Sequence, residues 1–145
     1  MFMGEHRHTI DDKGRMIIPS KFRSELGDKF IITRGIEKCL FVYSETEWNG
    51  IVSKLNQLPF TKKDARNFSR FFLSGAAMVE FDKQGRINIP TSLISYADLI
   101  KDCVVVGVGD RLEIWSEQNW NQFFDINQDQ MSDIAENLFM TDIDL

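Results

Sequence analysis

Apolar and polar positions along this chain fall into short strand-like runs separated by brief helical ones, and the whole succession occurs twice. Residues 8–11 and 79–82 read as strands that enter a Gly-containing turn and leave as a second strand. An Asp before such a turn caps its amides and a Gly inside it tolerates positive φ, so each segment predicts a β-hairpin. Pro19 and Pro90 end the second strands, and helix-compatible runs follow at 20–26 and 91–96, with Ser20 or Thr91 beside the proline as the start signal. Apolar strands come next at 30–33 and 103–106, then a turn, then strands at 40–43 and 112–115.

Helices are predicted after each succession. Ser44 with Glu47 three residues on forms a capping box, and Trp48, Ile51, Val52, Leu55 and Leu58 share one helical face, read as core. Pro59 stops that helix. A second covers 61–74, with Phe68, Phe71, Phe72 and Gly75 facing inward and Lys62, Lys63, Arg66 and Arg70 on the polar side. Trp120, Phe123 and Phe124 predict a matching helix, and Met131, Ile134 and Leu138 a last one, with frayed residues at 139–145.

The duplication is explicit in the residues. Ile10-Asp11-Asp12-Lys13-Gly14-Arg15-Met16-Ile17-Ile18-Pro19-Ser20 reappears 71 positions later as Phe81-Asp82-Lys83-Gln84-Gly85-Arg86-Ile87-Asn88-Ile89-Pro90-Thr91. Leu40 to Trp48 matches Leu112 to Trp120 at a shift of 72. Two landmarks at nearly constant separation mark an internal repeat. The expected fold class is therefore α+β, built from two pseudo-symmetric modules: 1–60, the first module with its helix; 61–77, a linking helix; and 78–145, the second module with C-terminal helices.

At 145 residues and 43% hydrophobic the chain can bury a core of its own. No apolar run is long enough to span a bilayer, and the first residues lack the charged-then-apolar order of a secretory signal, which predicts a cytoplasmic protein without a membrane partner. Cys39 and Cys103 lie in apolar stretches without Cys-x-x-Cys spacing and read as buried small hydrophobes. A net charge of -5 argues against a nucleic-acid binder until its distribution is considered. Basic outnumber acidic residues 8 to 6 over 1–38 and 6 to 3 over 61–86, whereas 110–145 has 1 against 9 and reads as a solvated acidic tail.

If the two modules pack about a pseudo-two-fold axis, both turns come to one side and place Lys13, Arg15, Lys83 and Arg86 on a common surface. An arginine at the end of such a turn can pair bidentately with guanine or clamp phosphate, and a lysine acts as a point charge on the backbone. Spacing alone supports equally a purely structural role, in which Asp11 pairs with Arg15 and Asp82 with Arg86 to brace the turn.

The pattern Asp-x-x-Gly-Arg-x-x-Ile-Pro at 11–19 and 82–90 resembles that of the MraZ family, whose modules are similar to swapped-hairpin DNA-binding domains of the AbrB and SpoVT type. The resemblance extends over nearly the whole chain, including the amino terminus, the linking Asp64-Ala65-Arg66 helix and the segment Phe72-Leu73-Ser74-Gly75-Ala76. It implies swapped-hairpin, β-barrel-like modules with flanking helices. It implies also a nucleoid-associated transcriptional regulator of the division and cell-wall gene cluster, including its own promoter, that binds short direct repeats in double-stranded DNA as a homo-oligomeric ring. The family's Asp-x-x-x-Arg motif maps onto Asp11 with Arg15 and Asp82 with Arg86; DNA contact is carried to both arginines and to Lys13 and Lys83, and loop shaping to Asp11, Gly14, Asp82 and Gly85. Gln84 stands where the first copy has Lys13, so the loops need not contribute equally.

Other readings remain open. His6, His8, Asp11 and Asp12 lie close in sequence, and two histidines two apart on a strand share a face, but no further His or Cys cluster completes a metal site or a catalytic set. Gly107-Val108-Gly109-Asp110 lacks the third glycine of a nucleotide loop and precedes a strand, as a hairpin turn does. No serine has a His-Asp context, so neither an enzyme nor a cofactor is expected. The alternatives are a non-DNA oligomeric assembly or partner-binding protein, or an antitoxin-type regulator, although such regulators usually carry a single module.

Overall fold

The computed structural model describes residues 1–141. The first repeat contributes β1 (Phe2–Thr9), β2 (Arg15–Ile17), α1 (Ser20–Leu26), β3 (Lys29–Arg34), β4 (Leu40–Ser44) and α2 (Glu45–Asn56). After α3 (Lys63–Ser74) the second contributes β5 (Ala77–Glu80), β6 (Arg86–Asn88), α4 (Thr91–Tyr96), β7 (Asp102–Gly109), β8 (Arg111–Ser116) and α5 (Glu117–Asn127). A 3-10 turn at Gln128–Gln130 leads into α6 (Met131–Thr141). The fold is α+β, as the pattern predicted.

Six strands form one antiparallel sheet in the order β1-β7-β8-β4-β3-β5, and β2 pairs with β6 in a separate two-stranded ribbon. The repeats are interleaved. β1 lies along β7 with Phe2 opposite Gly109 and Thr9 opposite Asp102, while β5 borders β3 with Lys29 opposite Glu80. The sheet does not close, which corrects the expectation of barrel-like modules. Each edge is occupied by the strand that the other repeat supplies, and β2 and β6 leave the sheet to pair with one another.

An open sheet suffices because both its faces are covered. Successive strand residues point to opposite sides. On one side Phe30, Ile32, Leu40, Val42, Cys103, Val105, Leu112 and Ile114 form a core with Met16, Ile87, Phe22 and Leu93 of the ribbon and short helices. On the other, Phe41, Tyr43, Val104, Val106 and Trp115 meet Phe72, Trp48, Ile51, Leu55, Trp120 and Phe123 of α2, α3 and α5. Cys39 and Cys103 are buried free thiols, and burial pushes the Cys103 pKa up to about 11, so both behave as the small hydrophobes expected.

The short helices occupy the predicted spans. Their caps, however, are Pro19 and Pro90, with Ser20 and Thr91 inside the first turn, and no side chain caps either helix. Ser44 accepts the Glu47 amide and Ser116 the Asn119 amide, so each longer helix after a repeat begins at a serine. Gly109 (φ 70) takes the first position of the two-residue turn joining β7 to β8, where a hairpin demands positive φ. Two expected inward residues are exposed instead: Leu58 (42%), because α2 ends at Asn56 and Leu58 lies beyond the helical face that its spacing predicts, and Phe68 (36%), which stacks on the ring of Phe72 at the outer side of α3. Residues 139–141, expected to fray, belong to α6; residues 142–145 lie outside the described part. Among the described residues no helix is long and apolar enough to cross a membrane.

Ile114 is fully buried at the centre of β8, so Ile114→Ala is expected to lower the unfolding free energy by about 2–5 kcal/mol in chemical denaturation. Phe60→Ala, at a side chain 81% exposed, should change it by less than about 0.5 kcal/mol.

Candidate nucleic-acid interface

The two repeated turns have the same construction. In the first, the Asp11 amide donates to the Arg15 carbonyl and the Gly14 amide to the Asp11 carbonyl, both at 3.0 Å. Asp11 Oδ1 accepts the amides of Lys13 and Arg15, and Oδ2 accepts Arg15 Nε, all at 2.9 Å. In the second, the Asp82 amide donates to the Arg86 carbonyl at 2.8 Å, and Asp82 Oδ1 accepts the amides of Gln84 (2.9 Å) and Arg86 (2.8 Å). Asp82 Oδ2 accepts Arg86 Nε at 2.7 Å. Gly14 (φ 78) and Gly85 (φ 76) are buried in the left-handed region, where a Cβ costs about 1–2 kcal/mol.

Bracing of the arginines by the aspartates is therefore real, but it engages only one edge of each guanidinium. Among the described residues neither terminal nitrogen of Arg15 or Arg86 has a hydrogen-bond partner. The side chains remain 33% and 28% exposed, and an arginine offers five N–H donors in a planar fork. The carboxylate fixes the fork's direction and leaves its outer end available.

The ribbon brings the two forks together. Arg15 lies opposite Asn88, Met16 opposite Ile87 and Ile17 opposite Arg86. Met16 and Ile87 point into the core, and strand alternation puts Arg15, Ile17, Arg86 and Asn88 on the outer face. Arg15 and Arg86 are diagonal neighbours on that face, with backbones roughly 7–8 Å apart. Antiparallel pairing sets the turns at opposite ends of the ribbon, each with an exposed lysine: Lys13 in the third position of its turn, Lys83 in the second.

The carboxylates of Asp11 and Asp82 are held below the usual carboxylate range, first by the amides of Arg15 and Arg86. The guanidiniums, and then the amides of Lys13 and Gln84, add to that effect.

The surroundings of the two turns differ. Each glycine is covered by the short helix of the opposite repeat: Ile94 of α4 packs on Gly14, and the Arg23 guanidinium of α1 lies against Gly85. Beside the first turn a cavity of about 600 Å³ is lined by residues that include Asp11, Asp12, Lys13, Ile89, Ile94 and Leu99. Arg23 was not singled out from the sequence, because it stands outside the duplicated motif. Its signal is a break in the repeat: the shift of 71 pairs Arg23 with Ile94.

His6 and His8 do share one side of β1, but the His6 ring packs on Phe22, and among the described residues no three His, Cys, Asp or Glu side chains are grouped to hold a metal. Burial, then His6 and Arg23, keep the His8 pKa below its ordinary value.

Fold and site together define a duplicated α+β protein that presents two acid-braced arginines on one ribbon. The family model described as "MraZ protein, putative antitoxin-like" matches the chain twice, over residues 1–71 and 72–142. A curated relative named "Transcriptional regulator MraZ", from Ligilactobacillus salivarius (strain UCC118), is 60% identical over 145 residues, which is 100% of each chain. The chain belongs to the MraZ family, as its duplicated motif implied.

In a carboxyl-resolved NMR titration, Asp11 and Asp82 are expected to titrate below the ordinary carboxylate range. A depressed native pKa means that the brace contributes stability above the unfolded-state pKa and loses it as pH falls through the native one. An ordinary midpoint for either residue would show that its brace does not persist in solution.

Proposed function

We propose that this chain is a sequence-specific, DNA-binding transcriptional regulator in which Arg15 and Arg86 read or clamp duplex DNA, with Lys13 and Lys83 on the flanking backbone. The observation that carries this reading is the pair of diagonal arginines on the exposed ribbon face, each held by a carboxylate through Nε and free at its terminal nitrogens. A two-stranded antiparallel ribbon is of a size that the major groove admits, and an arginine fork matches guanine O6 and N7 or a phosphate. Asp11, Gly14, Asp82 and Gly85 shape the loops. The relative's name, a transcriptional regulator, supports the same reading.

The finer parts are those that the resemblance to the family implies. The interleaved repeats act as swapped-hairpin modules, with 1–60 and 78–145 joined by the 61–77 linker. Copies assemble into a ring that engages short direct repeats upstream of the division and cell-wall genes, its own promoter among them, on the nucleoid in the cytoplasm. Several weak sites presented at matching spacing gain affinity through effective concentration, which suits a ring of identical subunits. The reading requires neither a cofactor nor a catalytic step.

On a duplex from the gene's own upstream region, Arg15→Ala with Arg86→Ala is expected to leave folding and assembly intact. Specific binding should weaken by about 1–3 kcal/mol for each arginine lost, the single variants losing less than the double. Wild-type affinity should fall steeply with salt. Binding by the double variant as tight as wild type would refute the assignment and favour a partner-binding or antitoxin-type role.

A further inference from the structure

We propose that Arg23 is a third cation of the second turn, contacting DNA phosphate beside Lys83 and Arg86, so that the two turns of one chain grip the duplex unequally. This inference rests on the DNA-binding reading above and adds to it a residue outside the duplicated motif.

Three observations carry it. The Arg23 guanidinium lies against Gly85, at a place that any side chain on residue 85 would occupy. Its position is set by a bond from Nε to the Ile18 carbonyl at 3.0 Å and by the ring of Phe81 at 5.9 Å. Among the described residues no carboxylate pairs with it, so a half-buried, positioned charge stands uncompensated next to the turn. Structural bracing would need only the apolar contact that Ile94 makes at Gly14.

The corresponding positions around the first turn point the other way. Ile94 replaces Arg23, and Asp12 replaces Lys83. Counting the turn's own charges and the residue that covers its glycine, Asp82, Lys83, Arg86 and Arg23 give +2, whereas Asp11, Asp12, Lys13 and Arg15 with Ile94 give 0. Phosphate attraction is therefore concentrated at the second turn, while each turn keeps one arginine for base edges. A guanidinium held at a fixed place beside a glycine backbone suits phosphate, which positions the protein without reading sequence.

The test is the salt dependence of binding to the upstream duplex for wild type, Arg23→Gln and Arg23→Lys, with thermal midpoint and subunit number measured alongside. Arg23→Gln is expected to weaken binding about 5- to 10-fold at fixed salt and to flatten the slope of log K against log salt by about 0.9 for each engaged subunit. Arg23→Lys should restore the slope, although lysine cannot reproduce the planar contact with Gly85. A packing role alone would lower affinity without changing the slope and would not be rescued by lysine; an unchanged slope for Arg23→Gln overturns the proposal. If Arg15→Ala with Arg86→Ala abolishes specific binding while the Arg23 slope stays that of wild type, this inference fails and the DNA-binding reading stands. If that double variant binds as wild type does, the reading itself fails.

Discussion

The antiparallel pairing of β2 with β6 is the constraint on which the remaining structure depends. Each strand belongs to a different repeat, and the pair is centred on Met16 and Ile87, both inside the core. Three residue pairs are too few to hold a ribbon in water by themselves. The apolar layer beneath must hold it, and that layer is shared between the repeats. Once β2 and β6 are joined, the strands preceding them are carried across the molecule, β1 to β7 and β5 to β3. The same crossing sets each turn beneath the other repeat's short helix, Gly14 under Ile94 and Gly85 under Arg23. Neither repeat completes its own turn.

What depends on local rules was legible in the sequence. The starts of α1 and α4 follow from the proline before each, with Ser20 or Thr91 beside it. The serine caps and the β7–β8 turn follow in the same way. What depends on a remote partner was not. β1 begins at Phe2, six residues earlier than its pattern suggests, because Gly4, Glu5 and Arg7 gain strand structure only by lying along residues 102–109. The open sheet in place of closed modules is likewise a matter of which repeat supplies which edge, on which hydrophobic alternation is silent. Phe68 shows a related gap: its spacing marks the inner face of α3, but whether that face is covered depends on what lies across from it.

In the site, the residue types and their spacing were readable because the turn is built from near neighbours. The five residues from Asp to Arg make all the internal hydrogen bonds of each turn, most of them to the Asp carboxylate. Their common face was not readable from either copy alone, since it arises from the register Arg15 to Asn88 and Ile17 to Arg86. The brace leaves the proposed contact compatible with it, without deciding for it. Bracing takes the Nε edge and contact requires the terminal nitrogens, so one arginine can serve both. A fork held in place before it meets a ligand loses less conformational freedom on binding, which is a reason to spend a carboxylate on it even where the net charge of the turn suffers.

Duplication within one chain has a consequence that a symmetric pair of identical chains does not share. In a homodimer, a residue covering one turn is repeated by symmetry at the other. Here the covering positions are separate residues, and they have diverged to Arg23 and Ile94. The turns retain the same internal hydrogen bonds and the same order of exposed and buried residues from the aspartate to the proline. They differ in charge at Asp12 against Lys83, at Lys13 against Gln84 and at the residue over the glycine, and in polarity on the outer face at Ile17 against Asn88. A shared geometry with unequal charge gives one face a direction, because a duplex lying across the ribbon meets more positive potential at one end than at the other.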